Sequence, residues 1–476
     1  MKKVFAFILA LVLFVSLVGC NKEQGKQVGK KGTLSLNVYV AGYGTDWIDS
    51  QVRCFNELYP DVKVKVEGSP LALDAVKTLL ENGNCPYDIV LIYAVNYNTF
   101  VGKGYLENLT DLYDSTIPGT DKTVRSCVID EILDKYTVED GKIYGVSWQP
   151  NYASGLVYNK AMFNQYGWEI PETMDELFEL FEQIDEDTNG AVSPLVFGGA
   201  DGNGYLLNTL PQWLLECYGS ENYKNFLNLE SPKVYEDQAE GRDKIYKTLA
   251  KLTKGVSKNG NSYSLDGSVS MSAINAQTNF VNGRAAMIVN GTWFCREMEE
   301  YLELRQFEVG YMPMPHINSD KKSLDGTIDT SNARYSSDNG VFAIPSTSVN
   351  KELAKDFLAS MMTSKSYSCF IEKCFGLNRF FKNIEVDQTN FSDFAKSAFN
   401  YFTANDNADI VLEHSRDKLL ETSTLAVFFA YKGSFFEHIA GARTYEEAYS
   451  VASGCVANEL EQVYQKWDPG KSEWKS

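Results

Sequence analysis

From residue 33 the chain reads strand, helix, strand, helix, strand. Thr33 to Val40 (TLSLNVYV) alternates apolar and polar residues and predicts a first strand. Ala41-Gly42-Tyr43-Gly44-Thr45 interrupts it, and from Asp46 the residues Trp47, Val52, Phe55 and Leu58 fall on one helical face. Tyr59-Pro60-Asp61 stops that helix, and Val62 to Val66 alternates again. Ala72 to Glu81 predicts a second helix. Tyr87 to Tyr93 is a near-continuous apolar run, as strands buried on both faces are. Repeated β-α-β units leave few folds open. The crossovers are right-handed, and ligands lie beyond the carboxyl ends of the strands. Those ends feed Gly42–Trp47 and Tyr93–Thr99, which makes Tyr43, Asp46, Trp47, Tyr93, Asn96 and Tyr97 the first binding candidates.

Further along, Thr173 stands three residues before Glu176 as a helix cap. Pro194 to Phe197 predicts a strand, and Leu206 to Tyr218 carries an apolar helical stripe. Asn228 to Asp266 is polar and helical with a loose Gly/Ser/Asn tail. Ala286 to Val289 predicts a short strand entering Gly291-Thr292-Trp293. The Ser/Asp/Asn-rich stretch from Asp320 to Asn339 predicts one long loop. Helical patterns close the chain over 351–362, 417–440 and 444–467.

At ~150 residues per domain, 476 residues imply two to three domains. Asp and Glu number 63 against 44 Lys and Arg, a net charge of -19 that disfavours binding to nucleic-acid phosphates. The three His are scattered, so no His-based metal site and no cofactor are expected. No Gly-x-Ser-x-Gly, His-Glu-x-x-His or phosphate loop occurs, and the expected role is not enzymatic. Nine Cys are present at irregular spacings without a Cys-x-x-Cys. Cys54, Cys295 and Cys455 lie in amphipathic helical patterns, where a thiol behaves as a small hydrophobe, and mostly free thiols are expected.

The N-terminus carries Lys2 and Lys3, an apolar run from Val4 to Val18, and then Leu17-Val18-Gly19-Cys20. A run this short with a basic start reads as a secretory signal rather than a spanning helix. Its end resembles the bacterial lipobox. The resemblance implies cleavage before Cys20, lipid on the Cys20 thiol, and a polar tether over 20–32. Two acyl chains suffice for stable anchoring. The expected location is extracytoplasmic, lipid-anchored to the bacterial cell membrane.

A second resemblance is spread over most of the chain. Phe55-Asn56-x-x-Tyr59-Pro60, Pro86-Tyr87-Asp88-Ile89-Val90 and Gly104-Tyr105-Leu106-Glu107-Asn108-Leu109 come first. Gly155-Leu156-Val157-Tyr158-Asn159-Lys160, Pro171-Glu172-Thr173-Met174, Phe280-x-x-Gly283-x-Ala285-Ala286-Met287 with Gly291-Thr292-Trp293, and Gly310-x-x-Pro313-x-Pro315 follow in order. Together they resemble the maltose-binding-protein-like solute-binding proteins of ABC importers, with Met174 where Trp is usual. The resemblance implies an α/β, two-lobe periplasmic-binding-protein fold of type II-like form, with hinged lobes and a cleft between them. Carried across, residues 33–150 and 315–388 form the N-lobe and 151–314 and 389–476 the C-lobe, with signal peptide over 1–19. It implies capture of a sugar or oligosaccharide and delivery to the permease subunits, by a monomer. Binders of a polyamine, ferric iron or a peptide, and a lipid-anchored carbohydrate sensor or enzyme, are the alternatives.

Sugars need aromatic plates for their C–H faces and polar groups at the rim. Trp148 and Tyr152 lie on an implied crossing segment. Trp293 follows a strand end after two small residues. Arg334, Tyr335, Asp338 and Asn339 precede the predicted 341–345 strand. Phe428 aligns with an aromatic helix start that supplies a stacking ring in relatives. Competing readings stay open. Trp47 fits a buried helix face as well as a ligand, Asp46 fits a helix cap, Phe428 and Phe429 fit a core, and Trp213 fits a core anchor.

Overall fold

Leu34, Leu36 and Val38, the alternate residues of the first strand, are fully buried. They belong to β1 (Gly32–Tyr39), which pairs in parallel with β2 (Val62–Ser69) and β3 (Ile89–Tyr93). The computed structural model describes residues 30–148, 150–152, 154–200, 205–227, 239–338, 340–403, 409–412, 437–438, 441–451, 454, 467–468 and 473–474. Cys20, the signal and most of the tether, Asn339, Phe428, Phe429, the side chain of Tyr152, nearly all of the expected 417–440 helix and the later part of the expected 444–467 helix lie outside them; residues 445–451 are helical.

Helix α1 (Asp46–Leu58) links β1 to β2, and α2 (Ala72–Glu81) links β2 to β3. The first sheet runs β2-β1-β3-β11-β4, where β4 is Val146–Ser147 and β11 is Gly340–Ala343. Strand β11 is antiparallel to both neighbours, so a segment two hundred residues downstream in sequence enters the middle of the sheet. Helices α8 (Lys351–Ser360) and α9 (Ser364–Lys373) follow β11 and bury Phe357, Leu358 and Phe370 in the core of this sheet.

A second, four-stranded sheet has the order β7-β8-β6-β9. Its strands are β6 (Gly155–Asn159), β7 (Ser193–Val196), β8 (Ala285–Asn290) and β9 (Val309–Pro313). Strand β8 is parallel to β7 and antiparallel to β6. Helix α3 (Met174–Thr188) starts on the predicted signal: Glu176 N–H donates to Thr173 Oγ1, and Thr173 N–H donates to Glu176 Oε2 at 3.1 Å. With α4 (Leu210–Leu227) and α5 (Ala239–Lys254) it encloses a second core around Phe181, Trp213 and Leu249. Trp213 is fully buried and donates to Pro315 O at 2.9 Å, a core anchor. Helix α6 (Ala273–Val281) precedes β8.

Between the two sheets lies a small third one, ordered β12-β10-β5. Strand β5 (Pro150–Tyr152) sits between β4 and β6 in sequence, β10 (Ala333–Asp338) precedes β11, and β12 is Asp409–Leu412. The expected loop over 320–339 therefore ends in a strand. Its buried positions hold Ser336 and Asp338 beside Ala333 and Tyr335, so the apolar alternation that identifies a strand is half erased. Residues before it stay with the second sheet: Thr173 bridges to His316, and Met314 and Ile317 sit in the second core. Strand β12 turns Val411 into the second core and Leu412 into the first. This sheet is where the chain passes between the two large ones.

Candidate ligand site between two sheets

The loop leaving β1 and the loop leaving β8 face each other. Between them is a cavity of about 350 Å³, within the usual size for small-molecule sites. The first sheet supplies Tyr39, Gly42, Tyr43, Trp47 and Trp148 to its lining; Thr292, Trp293 and Glu297 come from the other side.

The first wall is an aromatic cluster. Trp148 stands edge-on to Tyr39, with centroids 6.0 Å apart, and tilts against Trp47 at 5.7 Å. Trp47 is itself backed by Phe342 and Phe370. Trp47 is 2% exposed and Trp148 3%, so both are core residues that present one edge to the cavity. Trp148 Nε1 is buried and has no hydrogen-bond partner among the described residues, an uncommon state for a buried donor.

The second wall turns on Gly291. A side chain there would meet the Trp293 ring at 2.1 Å, so only glycine lets the ring fold back over the strand end. Trp293 is flanked by Tyr205 at 5.1 Å and Tyr43 at 6.2 Å, both edge-on. It opens α7 (Phe294–Glu297). Glu297 accepts a hydrogen bond of 2.5 Å from Gln277 Nε2.

Two polar contacts join the walls. Tyr43 and Thr292 share a hydrogen bond of 2.7 Å between hydroxyls. Burial holds the Tyr43 phenol well above its ordinary pKa, so it keeps its proton. Asp46 pairs with Arg296 Nη1 at 3.0 Å. Asp46 is the first residue of α1, with Thr45 at the cap position, so its carboxylate reaches across the gap rather than capping its own helix.

Of the expected site residues, Tyr43, Trp47, Trp148 and Trp293 line one cavity. Tyr93 and Asn96 are half-buried and lie outside the lining; Asn96 ends a short 3-10 turn. Arg334 turns its guanidinium to Ser331 O and Ala333 O, both at 2.9 Å, and over the Tyr401 ring. Tyr335 is 7% exposed in the second core, edge-on to Tyr223, with its N–H donating to Gln212 Oε1 at 2.7 Å. Both belong to β10, whose alternation sends Tyr335 into packing rather than into the cavity. Tyr39, Tyr205, Asn208, Tyr311, Leu377 and Phe402 also line the cavity without having been singled out in the sequence. Only Tyr39 had a signal, as the last residue of a strand pointing its carboxyl end at the site.

Residues 37–367 match the family of bacterial extracellular solute-binding proteins. The chain belongs to that family. It is 26% identical over 306 residues to the "Multiple sugar-binding protein" of Streptococcus mutans, a match covering 63% of this chain and 66% of the relative. It is 23% identical over 341 residues to the "Diacetylchitobiose binding protein NgcE" of Streptomyces coelicolor, covering 71% and 67%. The matched region thus spans about two thirds of these relatives' length. Among solved structures, the GacH receptor of Streptomyces glaucescens superposes with a TM-score of 0.62 at 18% identity, covering 91% of this chain and 99% of that one. RafE from Streptococcus pneumoniae gives 0.65 at 17%, covering 91% and 100%. These superpositions carry the fold, the two-lobe architecture of periplasmic solute-binding proteins. The family is extracytoplasmic, and no described helix is long and apolar enough to cross a membrane.

Proposed function

We propose that this chain is the substrate-binding component of an ABC importer for a sugar or oligosaccharide. One observation carries the reading: a cavity between two sheets walled by Tyr39, Trp47 and Trp148 on one side and Trp293 on the other, with the Trp148 Nε1 donor unpaired among the described residues. Aromatic edges and faces suit the C–H patches of a pyranose, and the free indole N–H suits a hydroxyl. Among the described residues the lining holds one carboxylate, Glu297, and no Lys or Arg. That favours a neutral ligand over a polyamine, which asks for several carboxylates, or an anion, which asks for a cation.

The mechanism is closure about the three-stranded sheet. One lobe is built on β1 to β4 with β11, the other on β6 to β9, with the divisions near 148–155, 331–340 and 391–412. A ligand touching both walls favours the closed arrangement by its differential affinity for it. The Tyr43–Thr292 and Asp46–Arg296 contacts exist only when the walls are together. The permease then receives the closed form. The lipobox-like Leu17-Val18-Gly19-Cys20 supports a lipid anchor at Cys20, and the chain is read as a monomer without catalytic activity.

The test is calorimetric titration and thermal shift with neutral oligosaccharides, spermidine, ferric citrate and peptides. A ligand at ~100 times its dissociation constant adds about 2.7 kcal/mol to stability. A rise with one glycan, lost in Trp293→Ala, is the expected outcome. A rise with spermidine or ferric citrate alone would overturn the sugar assignment.

A further inference from the structure

Away from the cleft, α1 and α9 bring two thiols together. Cys54 Sγ lies 3.9 Å from Cys369 Sγ, although 315 positions separate them in sequence. Cys54 is buried and Cys369 half-buried. The helices are pinned on either side of the pair. Gln51 Nε2 donates to Ser366 O at 2.7 Å, and Ser366 Oγ donates back to Gln51 Oε1 at 3.1 Å. Lys365 Nζ meets Glu57 Oε2 at 2.5 Å. Neither sulfur approaches another described cysteine in this way. The two sulfurs need close by only about 2 Å to reach disulfide bonding distance, and the family works where thiols oxidise.

We propose that Cys54 and Cys369 are a disulfide site, closed by an oxidant that is itself a disulfide. Cys369 is the attacking sulfur. It accepts the Cys54 S–H, and with Lys365 and Arg53 nearby its pKa is brought down to about 7, while the same hydrogen bond holds Cys54 protonated. The Cys369 thiolate attacks one sulfur of R–S–S–R, forming a mixed disulfide and releasing RS⁻. Cys54 then gives up its proton and attacks Cys369 Sγ, forming the Cys54–Cys369 bond and releasing the second RS⁻. The two protons leave on the two RSH products, so two protein thiols are oxidised as one external disulfide is reduced. The bond ties the first β-α-β unit to the returning segment, and Cys369 immediately precedes Phe370, which packs edge-on against Trp47 of the cavity wall. It is independent of which solute binds.

The experiment uses the full chain, reduced and then exposed to glutathione disulfide, blocked with an alkylating agent and digested without reductant. The expected product is one cross-linked peptide pair containing Cys54 and Cys369, two hydrogens lighter than the free peptides together, with Cys127, Cys217, Cys295 and Cys374 alkylated only after unfolding. In Cys54→Ser and in Cys54→Ala, Cys369 should instead retain glutathione. Quantitative alkylation of Cys369 after oxidation, a stable glutathione adduct on Cys369 in the unaltered chain, or a cross-link joining either residue to another cysteine would each overturn the assignment.

Discussion

Tyr43 and Thr292 are 249 residues apart and share a 2.7 Å hydrogen bond between hydroxyls, one in the loop leaving β1 and the other in the loop leaving β8. Both are buried. Removing the phenol oxygen in Tyr43→Phe leaves the ring against Trp293 and strips one contact from the closed form. A net hydrogen bond contributes about 0.5–1.5 kcal/mol, and a stranded hydroxyl costs more. Ligand affinity should fall about 3- to 30-fold, with the ligand-free melting temperature almost unchanged. Thr292→Val should do the same, and the double variant should be little worse than either single one. Additive losses in calorimetry would mean that the two hydroxyls do not act on each other.

Gly42 lies beside that bond for a steric reason. A Cβ there would stand 2.9 Å from Trp293 Cβ and 2.9 Å from Glu297 Oε1. Gly42→Val therefore wedges the two walls apart. Small-angle scattering should show an extended chain that saturating ligand no longer compacts, with affinity down by more than in Tyr43→Phe. Compaction equal to that of the unaltered protein would refute the wedge.

Asp46 and Arg296 add a weaker clasp. Their side chains are 44% and 29% exposed, so the pair is screened and contributes at most about 1 kcal/mol. Arg296→Met should weaken binding less than about fivefold at low salt. At 1 M salt, where the screening length is about 3 Å, the difference should vanish. A loss that persists undiminished in salt would point to direct ligand contact by Arg296.

Much of this site could be read before any coordinates, for identifiable reasons. Tyr43, Trp47 and Trp293 sit next to strand ends, and strand ends are set by short-range alternation and glycine breaks. The β-α-β units of the first sheet followed from the same local patterns, whereas the two-lobe architecture came from the resemblance to the solute-binding family. What escaped reading depends on long-range register. Tyr205, Asn208 and Phe402 reach the cavity from elements whose local patterns say nothing of a ligand. Arg334 and Tyr335 looked like cleft residues because their segment resembled a loop, whereas pairing with β5 and β12 makes it a strand and fixes which side chains turn inward. The Trp47 ambiguity between core and ligand dissolves in the geometry, since a ring 2% exposed can line a cavity with one edge. Trp47→Ala should accordingly cost about 3–5 kcal/mol of stability as well as binding, whereas Trp293→Ala should remove binding with a smaller thermal penalty.

Asp338 makes the pH dependence of the chain testable. It ends β10 where the small sheet hands the chain to β11, and it is buried. Tyr136 Oη donates to its Oδ2 at 2.7 Å and Gly340 N–H to its Oδ1 at 3.4 Å, but burial dominates and pushes its pKa up to about 6. An unfolded Asp titrates near 3.9. Between those values the native chain holds a proton that the unfolded chain does not, so this residue's contribution to stability rises as pH falls from above 6 toward 4. Above pH 6 the full penalty applies, on the order of 3 kcal/mol for about two pKa units. Asp338→Asn keeps an acceptor for the Tyr136 hydroxyl and carries no charge to desolvate. Denaturant unfolding at pH 7.5 should find this variant more stable than the unaltered chain by up to about 3 kcal/mol, and the gap should shrink to about 1 kcal/mol by pH 4.5 and close only below about pH 4. Because the exposed carboxylates titrate alike in both proteins, the difference isolates this one group. A gap that stays constant, or widens toward acid, would show that Asp338 is ionised without penalty in the folded chain.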